Sequence, residues 1–167
     1  MMNYIRSRAV DKVRMLAEER GGKGYKWTVL LIASIGSLMG PLDSTIVSVT
    51  LPTISHELGM DYSTSVWVPT AYLAVTAALL LTMGRLSDVR GLKPIYVAGF
   101  GLFALGSLLC SLSQNGEQMI LFRGLQGIGA AALMATATAL VTDAFPPQER
   151  GKALGINSVS VSVGLAI

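Results

Sequence analysis

Apolar and polar positions along this chain fall into long blocks. Apolar residues dominate from Trp27 to Val49, Ser65 to Met83, Pro94 to Leu112 and Met119 to Val141, and another run opens near Ala153. Each complete block is close to the roughly 20 residues that an α-helix needs to cross a bilayer. The pattern predicts an all-α membrane protein with four complete spans and part of a fifth. From Ala153 to Ile167 there are 15 residues, which make about 22 Å of helix. A hydrocarbon core is about 30 Å thick, so the chain is expected to stop inside a span. A complete small protein with a short last helix is the alternative.

Composition and charge sharpen this picture. The chain is 51% hydrophobic and 14% charged, less charged than an ordinary soluble domain. Its Lys and Arg residues are unevenly placed. Arg6, Arg8, Lys12, Arg14, Arg20, Lys23 and Lys26 precede the first span, Arg85, Arg90 and Lys93 separate spans two and three, and Arg150 and Lys152 separate four and five. These are twelve of the thirteen basic residues, and alternating spans put them all on one side. The opposite connections, 52–64 and 113–118, carry Glu57, Asp61 and Glu117 but no Lys or Arg. The positive-inside rule then predicts a cytoplasmic N-terminus. The net charge of +3 belongs to this topology and gives no argument for nucleic acid.

Residues 1–26 lack the short apolar core and cleavage site of a signal peptide. Ile5, Ala9, Val13, Leu16 and Ala17 lie near helical spacing, opposite Arg6, Arg14 and Glu18. They fit either an amphipathic helix on the inner leaflet or a plain basic tail, with Gly21, Gly22 and Gly24 as a flexible joint. Cys110 is the single cysteine and His56 the single histidine, so no intramolecular disulfide or cysteine-cluster metal site is expected. His56 is expected in an outer connection. Paired catalytic carboxylates, a nucleophile–His arrangement and a phosphate-cradling loop are missing from the sequence, which therefore gives enzymatic chemistry no support. No cofactor or metal site is expected.

Small residues mark where membrane helices approach closely. Gly36 and Gly40 form such a pair in the first span. Gly124, Gly127, Gly129 and Ala130 to Ala132 crowd the fourth, Gly99, Gly101 and Gly106 dot the third, and Gly151, Gly155, Ser158 and Ser162 give the fifth a similar face.

Four stretches stand out. GPLDSTIVSVTLP, 40–52, places Asp43 just after Pro41. Pro41 has no N–H, so it frees a carbonyl and kinks a helix, and Ser44 and Thr45 are placed to bond the loosened backbone. Asp43 is either a local cap near wet headgroups or a carboxylate facing a central cavity within reach of Arg123. MILFRGLQGIGAAA, 119–132, holds Arg123 and, within one turn, Gln126. Arg123 either snorkels to the headgroups or faces the packed interior, where it needs a partner. GRLSDVRGLKPI, 84–95, reads as a short turn allowed by Gly84 and Gly91, with Asp88 among Arg85, Arg90 and Lys93. There Asp88 is suited to accept from a neighbouring helix N-terminus. DAFPPQERGKALGI, 143–156, reads as a proline-stopped helix, a basic inner loop and a new helix.

These stretches resemble signatures of the major facilitator superfamily. The loop is similar to G-x-L-[AS]-D-[RK]-x-G-[RK]-[RK], matched at Gly84, Leu86, Ser87, Asp88, Gly91 and Lys93, with Val89 and Leu92 departing. Arg123, Gln126, Gly127, Gly129, Ala130 and Ala131 match R-x-x-Q-G-x-G-A-A. Leu42, Asp43, Thr45, Ile46, Val47, Val49, Leu51 and Pro52 match L-D-x-T-I-V-N-V-A-L-P of drug:proton antiporters, with Ser48 and Thr50 departing. The stretch from Asp143 is similar to the family's fourth-to-fifth-helix connection, in which Asp143 would pair with Arg90 or Lys93.

The resemblance covers Trp27 to Ile167 and points to the fourteen-helix multidrug branch. It implies the N-terminal part of a plasma-membrane transporter in which two helical halves rock about a central site. The implied partners are the lipid bilayer, a small-molecule substrate, protons as the energy source, and the missing C-terminal part. Asp43, Arg123 and Gln126 would couple protons to transport, and the loop with Gly84, Asp88, Arg90, Gly91 and Lys93, together with Asp143, would gate the inner side. A metabolite transporter of the same superfamily and a truncated nontransporting membrane protein are the alternatives.

Overall fold

A computed structural model describes residues 23–166. Five helices follow one another: α1 Lys23–Glu57, α2 Tyr62–Arg90, α3 Leu92–Ser111, α4 Gly116–Ala144 and α5 Pro147–Ala166. The first four are long and apolar enough to cross a membrane. The expected amphipathic helix within residues 1–22 lies outside the described residues.

The helices run past the apolar blocks, and several expected loops are helical. α1 continues through both Pro41 and Pro52 to Glu57, so His56 sits in a last helical turn, not in an outer connection. Gly24, expected in a flexible joint, lies in the first turn of α1. α2 passes Gly84 and ends at Arg90, so the expected turn over 84–95 shrinks to Gly91. Its φ of +93° is a left-handed value that glycine tolerates, and its N–H donates to Ser87 O at 2.9 Å. Pro147 opens α5, where its missing N–H costs nothing, so most of the expected basic inner loop is the first turn of α5.

On the other side, side chains cap the helices. Asp61 accepts from Ser63 N at 3.2 Å and from Thr64 Oγ1 at 2.5 Å at the start of α2. The Thr64 hydrogen bond holds the Asp61 carboxyl below its ordinary pKa. Asn115 accepts from Gln118 N at 2.9 Å at the start of α4, and Gln118 reaches back to Gln114 N at 3.0 Å, a reciprocal cap.

α4 is the central strut, packed against α1, α2 and α3. Of its apolar window 56% is buried, against 17–22% for the other three spanning helices. Glycine makes this possible. A Cβ at Gly129 would stand 2.5 Å from Phe103 N, one at Gly99 2.7 Å from Ala132 Cβ, and one at Gly127 2.8 Å from Tyr72 O. Gly36 receives the ring of Tyr96, whose hydroxyl donates to Ile32 O at 2.6 Å, and Gly40 faces the Tyr72 hydroxyl. Among the described residues, Gly151 and Gly155 meet nothing within 4 Å, and Ser158 and Ser162 are exposed. The expected small-residue face of α5 is therefore not its packing face. Ala153, Asn157 and Gly164 are buried instead.

The core runs from Leu30, Ala33 and Tyr96 through Leu133, Ala137 and Val141 to Phe145 and Ala153. Outside it, Leu31, Ile35, Leu73, Leu81, Leu121 and Val163 are exposed. An apolar exterior around a small-residue interior suits a lipid solvent, in which close packing rather than hydrophobicity drives helix association.

Gly129→Ala is expected to force α3 from α4 and lower the melting temperature in detergent, a loss of roughly 1–3 kcal/mol. Gly101→Ala, with open space around it, should melt at or above the parent temperature, because alanine is the better helix former by about 1 kcal/mol.

Candidate functional site

Asp43, Arg123 and Gln126 meet in a closed triangle of hydrogen bonds. Arg123 Nη1 donates to Asp43 Oδ2 at 2.5 Å and to Gln126 Oε1 at 2.7 Å, and Gln126 Nε2 donates to Asp43 Oδ1 at 2.8 Å. The two charged neighbours fix the amide orientation, oxygen toward the cation and nitrogen toward the carboxylate. Gln126 follows Arg123 by three residues, so both project from one face of α4.

Three further helices complete the setting. Asp43 comes from α1, two residues beyond Pro41. On that segment Thr45 Oγ1 donates to Pro41 O at 3.1 Å and to Gly164 O of α5 at 3.3 Å. α2 places the Tyr72 ring under the guanidinium, with the centroid 4.5 Å from Arg123 Cζ. α3 brings the Cys110 thiol to 3.9 Å from Gln126 Oε1, a weak donor. Gly106 allows that approach, because a Cβ there would lie 2.7 Å from Gln126 Cα.

The pair is unequally sheltered. The Arg123 side chain is 2% exposed and that of Asp43 17%. A buried guanidinium is tolerable because it is paired and stacked, and its Nε is enclosed without a hydrogen-bond partner. Among the described residues Asp43 is thus the less enclosed of the two. Arg123 does not snorkel to headgroups, and Asp43 does not act as a cap.

Sequence reasoning missed Tyr72 and Cys110. A signal for Tyr72 was present: Val68, Tyr72 and Thr76 repeat every four residues along α2, and all three are buried. Cys110 offered none, since its role depends on Gly106 one turn away meeting α4.

The other expected site residues remain apart. Asp88, Arg90 and Lys93 are exposed at the α2–α3 turn. Asp88 makes no hydrogen bond with any described residue, and α3 begins without a side-chain cap. The expected contact with a helix N-terminus is not made, because α2 carries Asp88 into its own last turn. The C-terminal end of the helix dipole disfavours a carboxylate there. Asp143 is exposed near the end of α4. The described ion pairs are Lys26–Glu149 and Asp43–Arg123, so the expected pairing of Asp143 with Arg90 or Lys93 is not present. Lys93 Nζ instead lies 5.5 Å from the Tyr25 ring centroid.

The family model of the Major Facilitator Superfamily matches residues 33–167. This chain belongs to the Major Facilitator Superfamily. Riboflavin transporter RibZ of Clostridioides difficile (strain 630) is 42% identical over 139 residues, 83% of this chain and 30% of RibZ. Multidrug resistance protein 3 of Bacillus subtilis (strain 168) is 38% identical over 128 residues, 77% of this chain and 25% of that protein. Among solved structures, a bacterial homolog of the human lysosomal transporter Spinster, inward-facing and occupied, superposes with a TM-score of 0.75 at 26% identity. That match covers 86% of this chain and 31% of the Spinster homolog. The chain thus spans about a quarter to a third of the length of these major facilitator relatives. Its membrane setting follows from the family and the four apolar helices together.

Each single loss at the triangle strands a charge, and the two losses are unequal. Asp43→Leu leaves the enclosed Arg123 unpaired and should destabilise by about 3–5 kcal/mol, while Arg123→Leu leaves the less enclosed carboxylate and should cost less. The double variant should melt above Asp43→Leu alone in detergent. Strictly additive losses would show that the two side chains do not interact.

Proposed function

We propose that this chain is part of the N-terminal half of a proton-coupled exporter of apolar or cationic small molecules, working by alternating access in the plasma membrane with its N-terminus in the cytoplasm. The Asp43–Arg123–Gln126 triangle carries the reading. A carboxylate and a guanidinium that neutralise each other inside a membrane bundle are expensive to maintain, and such residues commonly mark ion or substrate pathways. Protonating Asp43 removes one charge, weakens the link from α1 to α4 and leaves Arg123 as a net cation.

A proton binding at Asp43 therefore distinguishes a state in which the pair is closed from one in which it is parted. That difference in affinity is what a ligand needs to shift a conformational equilibrium. The less enclosed Asp43 is the proton's entry point in this reading. Lys and Arg gathered at one set of helix ends support the orientation, and relatives named as multidrug resistance proteins support the solute class.

At the α2–α3 turn, the exposed Asp88 in an unfavourable helix end is free to bind cationic or N–H donors of the second half. It would then latch the inner side in one state. A second reading, export or import of a metabolite, is favoured by the name of RibZ. A panel of drugs and vitamins offered to proteoliposomes separates the two.

In the complete transporter, Asp43→Asn and Arg123→Ala should each abolish transport driven by a pH gradient while membrane insertion persists. Normal gradient-driven export by both variants would refute the coupling role. Asp88→Asn should slow turnover severalfold and leave substrate binding unchanged, and unaltered turnover would count against the latch.

A further inference from the structure

Tyr72 touches both helices that carry the buried ion pair. Its ring centroid lies 4.5 Å from Arg123 Cζ on α4, and its hydroxyl faces Gly40 on α1, where a Cβ would stand 3.2 Å away. Gly40 precedes Asp43 by three residues, just under one helical turn. Tyr72 is 3% exposed. Its backbone is fixed without help from the ring, because Thr76 Oγ1 donates both to Tyr72 O at 2.7 Å and to Gly127 O at 3.2 Å. The ring therefore projects toward the guanidinium from a part of α2 already fastened to α4.

What the ring contributes depends on the state of Asp43. While Asp43 is ionised, its carboxylate stands 2.5 Å from the guanidinium and cancels most of its charge, so the attraction to the π face is small. Once Asp43 takes a proton, Arg123 becomes a net cation that is 1% exposed, with its Nε enclosed and unpartnered. Among the described residues, Gln126 Oε1 and the Tyr72 ring are then its uncharged partners. An enclosed cation without a counter-charge is costly, and a π face gains most where the cation is desolvated.

We propose that Tyr72 is a positioning residue for proton coupling: its ring holds Arg123 when Asp43 is protonated, and so sets the pH at which the ion pair opens. The assignment rests on the transporter reading and deepens it. Because the ring favours the protonated form over the ionised one, removing it makes protonation harder, and the titration of Asp43 moves to lower pH. A difference of roughly tenfold in proton affinity is the scale of one such contact, or about one pH unit.

The other groups at this level are few. Arg123 faces Asp43 from α4 and Tyr72 stands beside both on α2, while α3 supplies the Cys110 thiol, 3.9 Å from Gln126 Oε1. On α1 the nearest further titratable residue is His56, thirteen positions from Asp43. On α5, Lys152 is twelve positions before Gly164, the residue that meets Thr45, or about 18 Å along the helix.

The test is difference infrared spectroscopy of the complete transporter against pH, following the carboxylic C=O band that Asp43→Asn removes. Tyr72→Leu should lower the midpoint of that band by about one pH unit, and Tyr72→Phe, which keeps the π face, should titrate as the parent does. Replacing Tyr72 by pentafluorophenylalanine keeps a ring of similar shape but reverses its quadrupole, and should lower the midpoint at least as far as leucine. A role in packing alone would leave the fluorinated ring at the parent midpoint, which overturns the proposal. An unmoved or raised midpoint in Tyr72→Leu overturns it as well, and a parent with no Asp43 band at any pH overturns both this role and the coupling reading. Gradient-driven transport measured on the same variants separates the two ideas. If the infrared midpoint shifts and the pH profile of transport does not, coupling through Asp43 fails and the role of Tyr72 stands. If Asp43→Asn abolishes gradient-driven transport and the infrared midpoint ignores Tyr72, the reverse holds.

Discussion

A guanidinium taken out of water must be paired, and in this bundle that requirement organises the helices around α4. Arg123 is enclosed by α1, α2 and α3 and answered by the carboxylate of Asp43. In a low-dielectric interior the attraction between them is strong, but so is the cost of desolvating each. Gln126 and the Tyr72 ring add further partners to the pair.

Glycine provides the geometry that lets so many side chains converge. Helices in lipid gain nothing from hiding apolar surface, so they are held by close contact. Gly99, Gly106, Gly127 and Gly129 let α2 and α3 press backbone against α4. With that contact, Gln126 and the Cys110 thiol come together and Tyr72 reaches the guanidinium. The α1–α5 seam is looser and more polar. It carries an ion pair at one end, a threonine–carbonyl bond near Asp43, and two unpaired polar atoms between them. Close glycine contacts thus join α2 and α3 to α4, whereas polar contacts join α1 to α5.

Much of this was legible before any coordinates. The length of the apolar blocks set the number of spanning helices, since backbone groups in lipid must be satisfied within a helix. Asp43, Arg123 and Gln126 were visible as polar residues in apolar runs, where their cost singles them out. Helix ends were less legible. Pro52, Gly84 and Pro147 look like breaks in sequence, yet α1 and α2 run through the first two and α5 starts on the third. A proline or glycine weakens a helix locally, and packing of the flanking turns overrides that preference.

The sequence alone determined that these residues belong in a membrane, because hydropathy and the spacing of charges are properties of the chain and need no partner. It also determined which polar residues required a reason for being there. Only the tertiary structure decided which of two open choices each took. Arg123 turned inward to Asp43 because close contacts at Gly127 and Gly106 draw α2 and α3 against α4 beside it, and Asp88 and Asp143 stayed exposed because the helices that carry them end without meeting an opposite charge among the described residues. Contacts between residues some 80 positions apart, such as that of Asp43 with Arg123, depend on how helices stack. Local periodicity does not encode that stacking.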